Sequence, residues 1–220
     1  MARSMAIRVV LMSLLAALLA FARPADAADL AVETNRPVAT SDLRLIVRST
    51  GYVDALRKHA AERLEPQPIV RPLAGDLWLV CVVDLPRQIN MLTDRDVEKL
   101  GLSQEEAIAL GKQNVAAELP PGSAVISPLK PDAIGYITGH FYESSRLLMH
   151  DDWAALSQEM NGQLVVAVPV PEGILYAEGK DRASLDALTR VAEATAKGDQ
   201  RRISMQLLRW VPEGWEVVNP

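Results

Sequence analysis

Along this chain, hydrophobic positions change repeatedly between the three- and four-residue spacing of a helix and the short apolar runs of strands. The first clear element is an apolar stripe that predicts a helix over 51–64. Ser49 or Thr50 is its expected N-cap, and Pro66 lies just beyond its end.

The rest of the first half combines one hairpin with two helices. Ser103 and Glu106 have the spacing of a capping box, so we expect a helix to begin there. Gly75 lies between two apolar runs and favours a tight turn. The predicted elements are strands at 68–73 and 77–84, a short helix over 93–101 and a longer helix over 103–119.

The second half repeats the same alternation. Asp151 is the expected N-cap of a helix whose end is marked by Asn161 and Gly162. The other predicted elements are strands at 134–138, 141–149, 163–168, 174–177, 205–211 and 215–218, and a helix over 182–196.

Hairpins that alternate with single helices predict an α+β fold, because parallel pairing would need a crossover between consecutive strands. We expect an antiparallel sheet built from successive hairpins, with helices packed on one face. Residues 28–48 are interpreted as an N-terminal leader that ends in a short strand at 43–47, and 49–220 as a single domain. Two halves of that domain join near 120–132.

The first 27 residues have the pattern of a signal peptide. Arg3 and Arg8 precede an apolar run, and Ala25 and Ala27 are the small residues that signal peptidase accepts. A membrane-spanning helix needs about 20 apolar residues, and Arg23 and Pro24 end this run before that length is reached. We expect cleavage after Ala27 and a periplasmic or secreted protein that meets the membrane only through this segment; the alternative is an uncleaved anchor.

Composition narrows the function classes. Removal of residues 1–27 leaves 20 basic and 27 acidic residues, a net charge near −7, which disfavours nucleic acid and anionic lipid as partners. Cys81 is the single cysteine and lies in an apolar run, so we expect a buried hydrophobic residue and no disulfide.

Several segments together resemble an uncharacterised bacterial family, domain of unknown function fourteen-forty-four. The matching segments are RPLAGDLWLV at 71–80, LGLSQEEA at 100–107, YESSRLL at 142–148 and VVAVP at 165–169, with Asp84, Asn114 and Trp153. The chain departs from the family at 170–173, where the family's pattern has an arginine–aspartate pair. The resemblance implies the fold and implies no activity, since the family has none established.

Candidate chemistry concentrates between residues 140 and 152. His140, Glu143 and His150 are candidates for proton transfer, with Asp151 and Asp152 beside them. If 141–149 is a strand, His140 and Glu143 point to opposite faces, which argues against a shared metal. Solvated turn ends are the competing interpretation.

Four further residues are candidates outside that segment. Asp84 follows an apolar strand and is either catalytic or bonded to local backbone. Asn114 is either a ligand contact or a buried amide that joins helix to sheet. Trp210 and Trp215 flank the last turn, where they can present an aromatic surface to a partner.

The sequence contains no glycine-rich phosphate loop, no Cys-x-x-Cys pair and no His-Glu-x-x-His motif, so we expect no cofactor and no metal. The leading hypothesis is a non-catalytic envelope or secreted module that binds a protein or small molecule. The alternatives are a hydrolase or other enzyme of unfamiliar type that uses carboxylates and histidine, and a scaffold tethered to the inner membrane.

Overall fold

The computed structural model describes residues 37–123, 125–126 and 134–218. The predicted signal peptide and most of the connector near 120–132 lie outside the described residues. By internal contacts, residues 38–84 and 89–218 belong to one compact unit.

The first half builds a small antiparallel sheet around one central strand. Its strands are β1 (Leu43–Ser49), β2 (Val70–Ala74), β3 (Leu77–Leu85) and β4 (Gln88–Met91). Their order is β1-β3-β2, and β4 also pairs with β3. The predicted hairpin at Gly75 is confirmed as β2–β3. The strand predicted at 43–47 is found in β1, which pairs with β3 over all seven residues, so the folded sheet begins before residue 49.

Three helices of the first half begin at side-chain caps. They are α1 (Thr50–Arg63), α2 (Asp94–Leu100) and α3 (Gln104–Glu118). Ser49 caps α1, and the predicted capping box of Ser103 and Glu106 is confirmed at α3. Val53 of α1 and Val115 of α3 pack in one core cluster with Ile46 of β1.

The second half forms a six-stranded antiparallel sheet. Its strands are β5 (Val125–Ile126), β6 (Gly135–Thr138), β7 (Leu164–Val170), β8 (Gly173–Glu178), β9 (Leu207–Val211) and β10 (Gly214–Val217), in the order β10-β9-β7-β8-β6-β5. Helix α4 (Ala154–Glu159) precedes β7, and α5 (Arg182–Ala196) packs on the sheet. Leu188 and Ala192 of α5 contact the β7–β8 core.

The α+β prediction is confirmed, and the hairpins are divided between two sheets. The strand predicted at 141–149 is wrong: Glu143–Leu148 forms a 3₁₀ helix, and a second one follows at His150–Trp153. The physical reason is that β6 already has strands on both sides, so 141–149 finds no free edge there and closes local three-residue hydrogen bonds. The N-cap predicted at Asp151 is also wrong, since its side chain is fully exposed and α4 has no side-chain cap.

None of the helices within the described ranges is both long enough and apolar enough to span a bilayer.

Candidate functional site

Three of the predicted site residues, His140, Glu143 and His150, lie on residues 140–153, which we call the bridging segment because it bonds to both sheets. The Ser145 hydroxyl donates to the Leu45 carbonyl of β1 at 2.8 Å, and the Ser144 amide donates to the carbonyl of Pro171, between β7 and β8, at 2.9 Å. Both serines are buried. They therefore have structural roles, because their polar groups are consumed inside the protein.

Side chains also close the outer edge of β1. The carbonyls of Leu43, Leu45 and Val47 accept from Asn114, Ser145 and Arg48 respectively, at 2.9, 2.8 and 2.8 Å. The Asn114 amide reaches the Thr40 carbonyl as well, at 2.9 Å. Asn114 thus joins α3 to the strand, and the alternate edge carbonyls are satisfied without another strand.

Three indoles hold the carbonyl side of the bridging segment. The ring N–H groups of Trp153, Trp215 and Trp210 donate to the carbonyls of Arg146, Leu147 and His150, each at 3.0 Å. These bonds fix the carbonyl side of the segment, and the Arg146 carbonyl also accepts from the Met149 amide at 3.0 Å. Trp210 and Trp215 thereby use their polar groups internally, and their predicted role in binding a partner stays a prediction.

Glu143 and Arg146 form a buried ion pair within the segment. Glu143 is 0% exposed and Arg146 8%, and the Arg146 Nε–H donates to Glu143 Oε1. The His140 amide donates to the other Glu143 oxygen at 3.0 Å. Arg146 also donates to the Ser123 hydroxyl at 2.7 Å. Because both charges are enclosed and mutually paired, Glu143 has no open side from which to reach a substrate.

A half-buried polar cluster lies at the start of the segment, and it consists of Arg44, Asp84, Glu118, His140 and Tyr142. The Tyr142 hydroxyl donates to Asp84 Oδ2 at 2.5 Å. Glu118 accepts from Arg44 Nε at 2.6 Å, and its other oxygen lies 4.0 Å from His140 Nε2. The cluster therefore joins β1, β3, α3 and the bridging segment.

The ring of His140 is held in one tautomer. Its Nδ1 accepts the backbone N–H of Tyr142 at 3.2 Å, so in the neutral ring the proton is on Nε2. That proton faces Glu118, at the partly exposed side of the cluster. Chemically, a histidine beside a carboxylate can pass a proton to a bound ligand.

Tyr142 differs from a reactive tyrosine. Burial, followed by its hydrogen bond to Asp84 and the negative charges of Asp84 and Glu118, raises the pKa of the Tyr142 hydroxyl far above its ordinary value. The phenol therefore stays neutral and donates to Asp84. It positions the carboxylate and is not an activated nucleophile.

This raised pKa predicts a loss of stability in alkali. Above pH ~10 an unfolded tyrosine ionises while folded Tyr142 keeps its proton, so stability falls by up to about 1.4 kcal/mol per pH unit. Tyr142→Phe should remove that part of the slope between pH 9 and 11.5 in urea unfolding. Tyr52→Phe, at an exposed ring, is the matched control. Equal slopes in the wild type and Tyr142→Phe would contradict the assignment.

His150 belongs to a second group, at the far end of the segment. Its ring stacks on Trp210 with centroids 5.2 Å apart and meets the edge of Trp215 at 5.7 Å. Its Nε2 is buried without a hydrogen-bond partner, and Nδ1 lies 3.9 Å from Asp151. This packing makes His150 part of an aromatic group with no carboxylate on its buried nitrogen.

The structure thus brings Asp84 and His140 into one cluster, with Glu143 behind His140 and Asn114 one helical turn from Glu118. It places His150, Trp210 and Trp215 in the aromatic group. Sequence reasoning missed Arg44, Glu118 and Tyr142. Arg44 and Glu118 are 74 residues apart in the sequence, and Tyr142 is 58 residues from Asp84. Tyr142 carried one usable signal, its position two residues after His140.

Within the described part of the chain, no group of three or more histidine, cysteine, aspartate or glutamate side chains is placed to hold a metal ion. No family model matches the sequence, and neither the curated proteins nor the solved structures contain a significant match. The resemblance to domain of unknown function fourteen-forty-four stays a hypothesis.

Proposed function

We propose that this chain is an exported, non-catalytic module of the cell envelope or of the secreted fraction, which binds a protein or small-molecule partner. The observation that supports it most is the internal use of the candidate catalytic groups. Glu143 is fully buried against Arg146, and Asp84 is held by Tyr142. A general acid or base must come within hydrogen-bond reach of its substrate, which the enclosed Glu143 does not, and the half-buried Asp84 is already bonded to Tyr142.

A second candidate function is an enzyme that uses the exposed side of the polar cluster. It is favoured by one observation, the approach of His140 Nε2 to Glu118, with both side chains partly open to solvent. In that enzyme His140 transfers the proton, Glu118 stabilises the charged ring, and Asp84 holds the substrate. The two functions predict opposite results when these charges are removed without a change of shape.

Complementation separates them. In a strain that lacks the gene, Asp84→Asn and His140→Gln should restore the deletion phenotype to at least half of the wild-type level, because asparagine still accepts from Tyr142 and neither change opens the core. A non-catalytic role tolerates both. A loss greater than tenfold, with the variant protein folded and present at the wild-type level, would establish the enzyme and overturn our proposal.

The same strains test the export that the proposal includes. The intact mass of the protein from the periplasmic or culture fraction should equal that of a chain whose first residue is Ala28. If the mass is that of a chain starting at Met1 and the protein is in the cytosol, export is contradicted whatever the complementation result. If the same uncleaved chain is found at the membrane, the tethered scaffold is favoured.

A further inference from the structure

Two arginines lie beside two aromatic rings, with Arg48 and Trp78 on the small sheet and Tyr52 and Arg57 on α1. The Arg57 Cζ lies 4.8 Å from the centroid of the Trp78 ring, and the Arg48 Cζ lies 5.6 Å from that of Tyr52. Arg48 and Trp78 are cross-strand partners on β1 and β3, so their side chains share a face of the sheet. We call these four residues the arginine–aromatic patch.

The patch is held rigidly from below. The Trp78 indole N–H donates to the Thr50 hydroxyl at 3.0 Å, and the Thr50 hydroxyl and amide both donate to the Asp76 carbonyl, at 3.2 and 2.7 Å. The Asp76 side chain accepts in turn from Ser204 at 2.6 Å. The Trp78 ring is therefore fixed before any ligand arrives, and a guanidinium stacked on it loses little freedom on binding.

The positive charges of the patch lack a direct counter-charge. Across residues 37–123 and 134–218, no carboxylate lies within salt-bridge distance of Arg48 or Arg57. Arg201 acts on Arg48 as a further positive charge, and the nearby Glu172 is bonded to Arg201. Partial burial lowers the pKa of Arg48; the hydrogen bond and charge of Tyr52 and the charge of Glu172 oppose the shift, and Arg201 adds the smallest contribution, which lowers the pKa.

Two other partly or fully buried arginines in this fold do have carboxylate partners. Arg44 is paired with Glu118, and Arg146 with Glu143. Arg48 donates to the Val47 carbonyl but has no counter-charge, which is unfavourable for a partly buried guanidinium, and an oxyanion on Arg48 removes that cost. The patch is also accessible, since Arg57 is exposed and Tyr52 is 36% exposed.

Resting on the binding function proposed above, we propose that the arginine–aromatic patch binds an oxyanion of a small ligand, a phosphate or a carboxylate. Arg48 and Arg57 donate to its oxygens, and the rings of Trp78 and Tyr52 contact the apolar part of the ligand. Arginine suits this role because its planar fork binds such oxygens in pairs. A nucleic acid is a poor ligand, because the chain has a formal net charge of −5 and nucleic-acid binding requires a basic protein surface.

The four tryptophans provide a test with internal controls. In ¹⁵N–¹H spectra, the indole signal of Trp78 should move saturably when sodium phosphate or sodium acetate is added at constant ionic strength, against sodium chloride. The indole signals of Trp153, Trp210 and Trp215 should stay in place, since these rings belong to the aromatic group around His150 and not to the patch. The two salts distinguish a phosphate from a carboxylate ligand.

Charge variants locate the binding. Arg57→Gln and Arg48→Gln should each weaken the affinity about tenfold, because each removes a charge-assisted pair of hydrogen bonds. Arg57→Lys keeps the charge and loses the fork, so its affinity should be intermediate. Arg63→Gln is the matched control, since it removes the same charge from the exposed surface of the same helix.

Oxyanion binding at the patch would be overturned by equal movement of all four indole signals, by the absence of saturation, or by an equal effect of Arg63→Gln and Arg57→Gln. If the patch fails while Asp84→Asn and His140→Gln still complement, the non-catalytic function survives without this ligand. If those two variants fail to complement, the non-catalytic function falls whatever the spectra show.

Discussion

Replacement of Glu143 with glutamine should destabilise the protein by about 3–5 kcal/mol, the largest effect that we expect from a single isosteric change. Arg146 is 8% exposed, and its main partner is the Glu143 carboxylate. Without that charge the guanidinium remains buried and uncompensated. Glutamine keeps the size of the side chain, so a cavity does not contribute. The measurement is urea unfolding followed by circular dichroism.

A surface ion pair provides the control. Glu105 pairs with Arg71 through a two-pronged contact, and both side chains are well exposed. Glu105→Gln should change stability little, because water screens that pair. The double variant Glu143→Gln with Arg146→Met should recover part of the loss by removing the stranded charge. If Glu143→Gln and Glu105→Gln have equal effects, the buried pair does not have the role that we assign to it.

Gly135→Ala should cost about 1–3 kcal/mol through overpacking of the second sheet. Gly135 on β6 is the cross-strand partner of Tyr176 on β8, and the tyrosine ring lies over it. A Cβ atom at Gly135 would lie 2.1 Å from Tyr176 Cζ. Tyr176 is 1% exposed, so its ring cannot move without disturbing the core. The loss should appear in the urea midpoint at unchanged slope.

Gly51→Ala is the matched control for that change. Gly51 lies in the first turn of α1, and a Cβ atom added there meets nothing within 4 Å. Alanine in a helix should be neutral or stabilise by up to about 1 kcal/mol. If Gly135→Ala is as well tolerated as Gly51→Ala, the packing of Tyr176 on Gly135 is not a constraint on the sheet.

Helix starts and hairpin turns could be predicted because their interactions are local. The capping box of Ser103 and Glu106 joins residues three apart, and the helix predicted at 182–196 is found as Arg182–Ala196. In both cases the stabilising contacts lie within a few residues of one another, so the order of residue types contains the necessary information. The hairpins β2–β3, β7–β8 and β9–β10 follow the same rule.

The conformation of the bridging segment and the polar cluster depend on contacts between residues that are far apart in the sequence. Residues 141–149 have the composition of a strand, yet a strand needs an unoccupied edge, and whether one exists depends on how β6 and β8 pair. Tyr142 meets Asp84 across 58 residues, and Arg44 meets Glu118 across 74.

From the sequence by itself came the α+β class, the boundaries of four of the five helices, three of the hairpins and the acidic charge, because each depends on neighbouring residues or on simple counts. Only the tertiary structure decided that there are two sheets, that Glu143 is enclosed with Arg146, and that Arg57 of α1 stacks on Trp78 of β3. The reason is physical: burial and partner choice are properties of the packed chain, and no local pattern of residues specifies them.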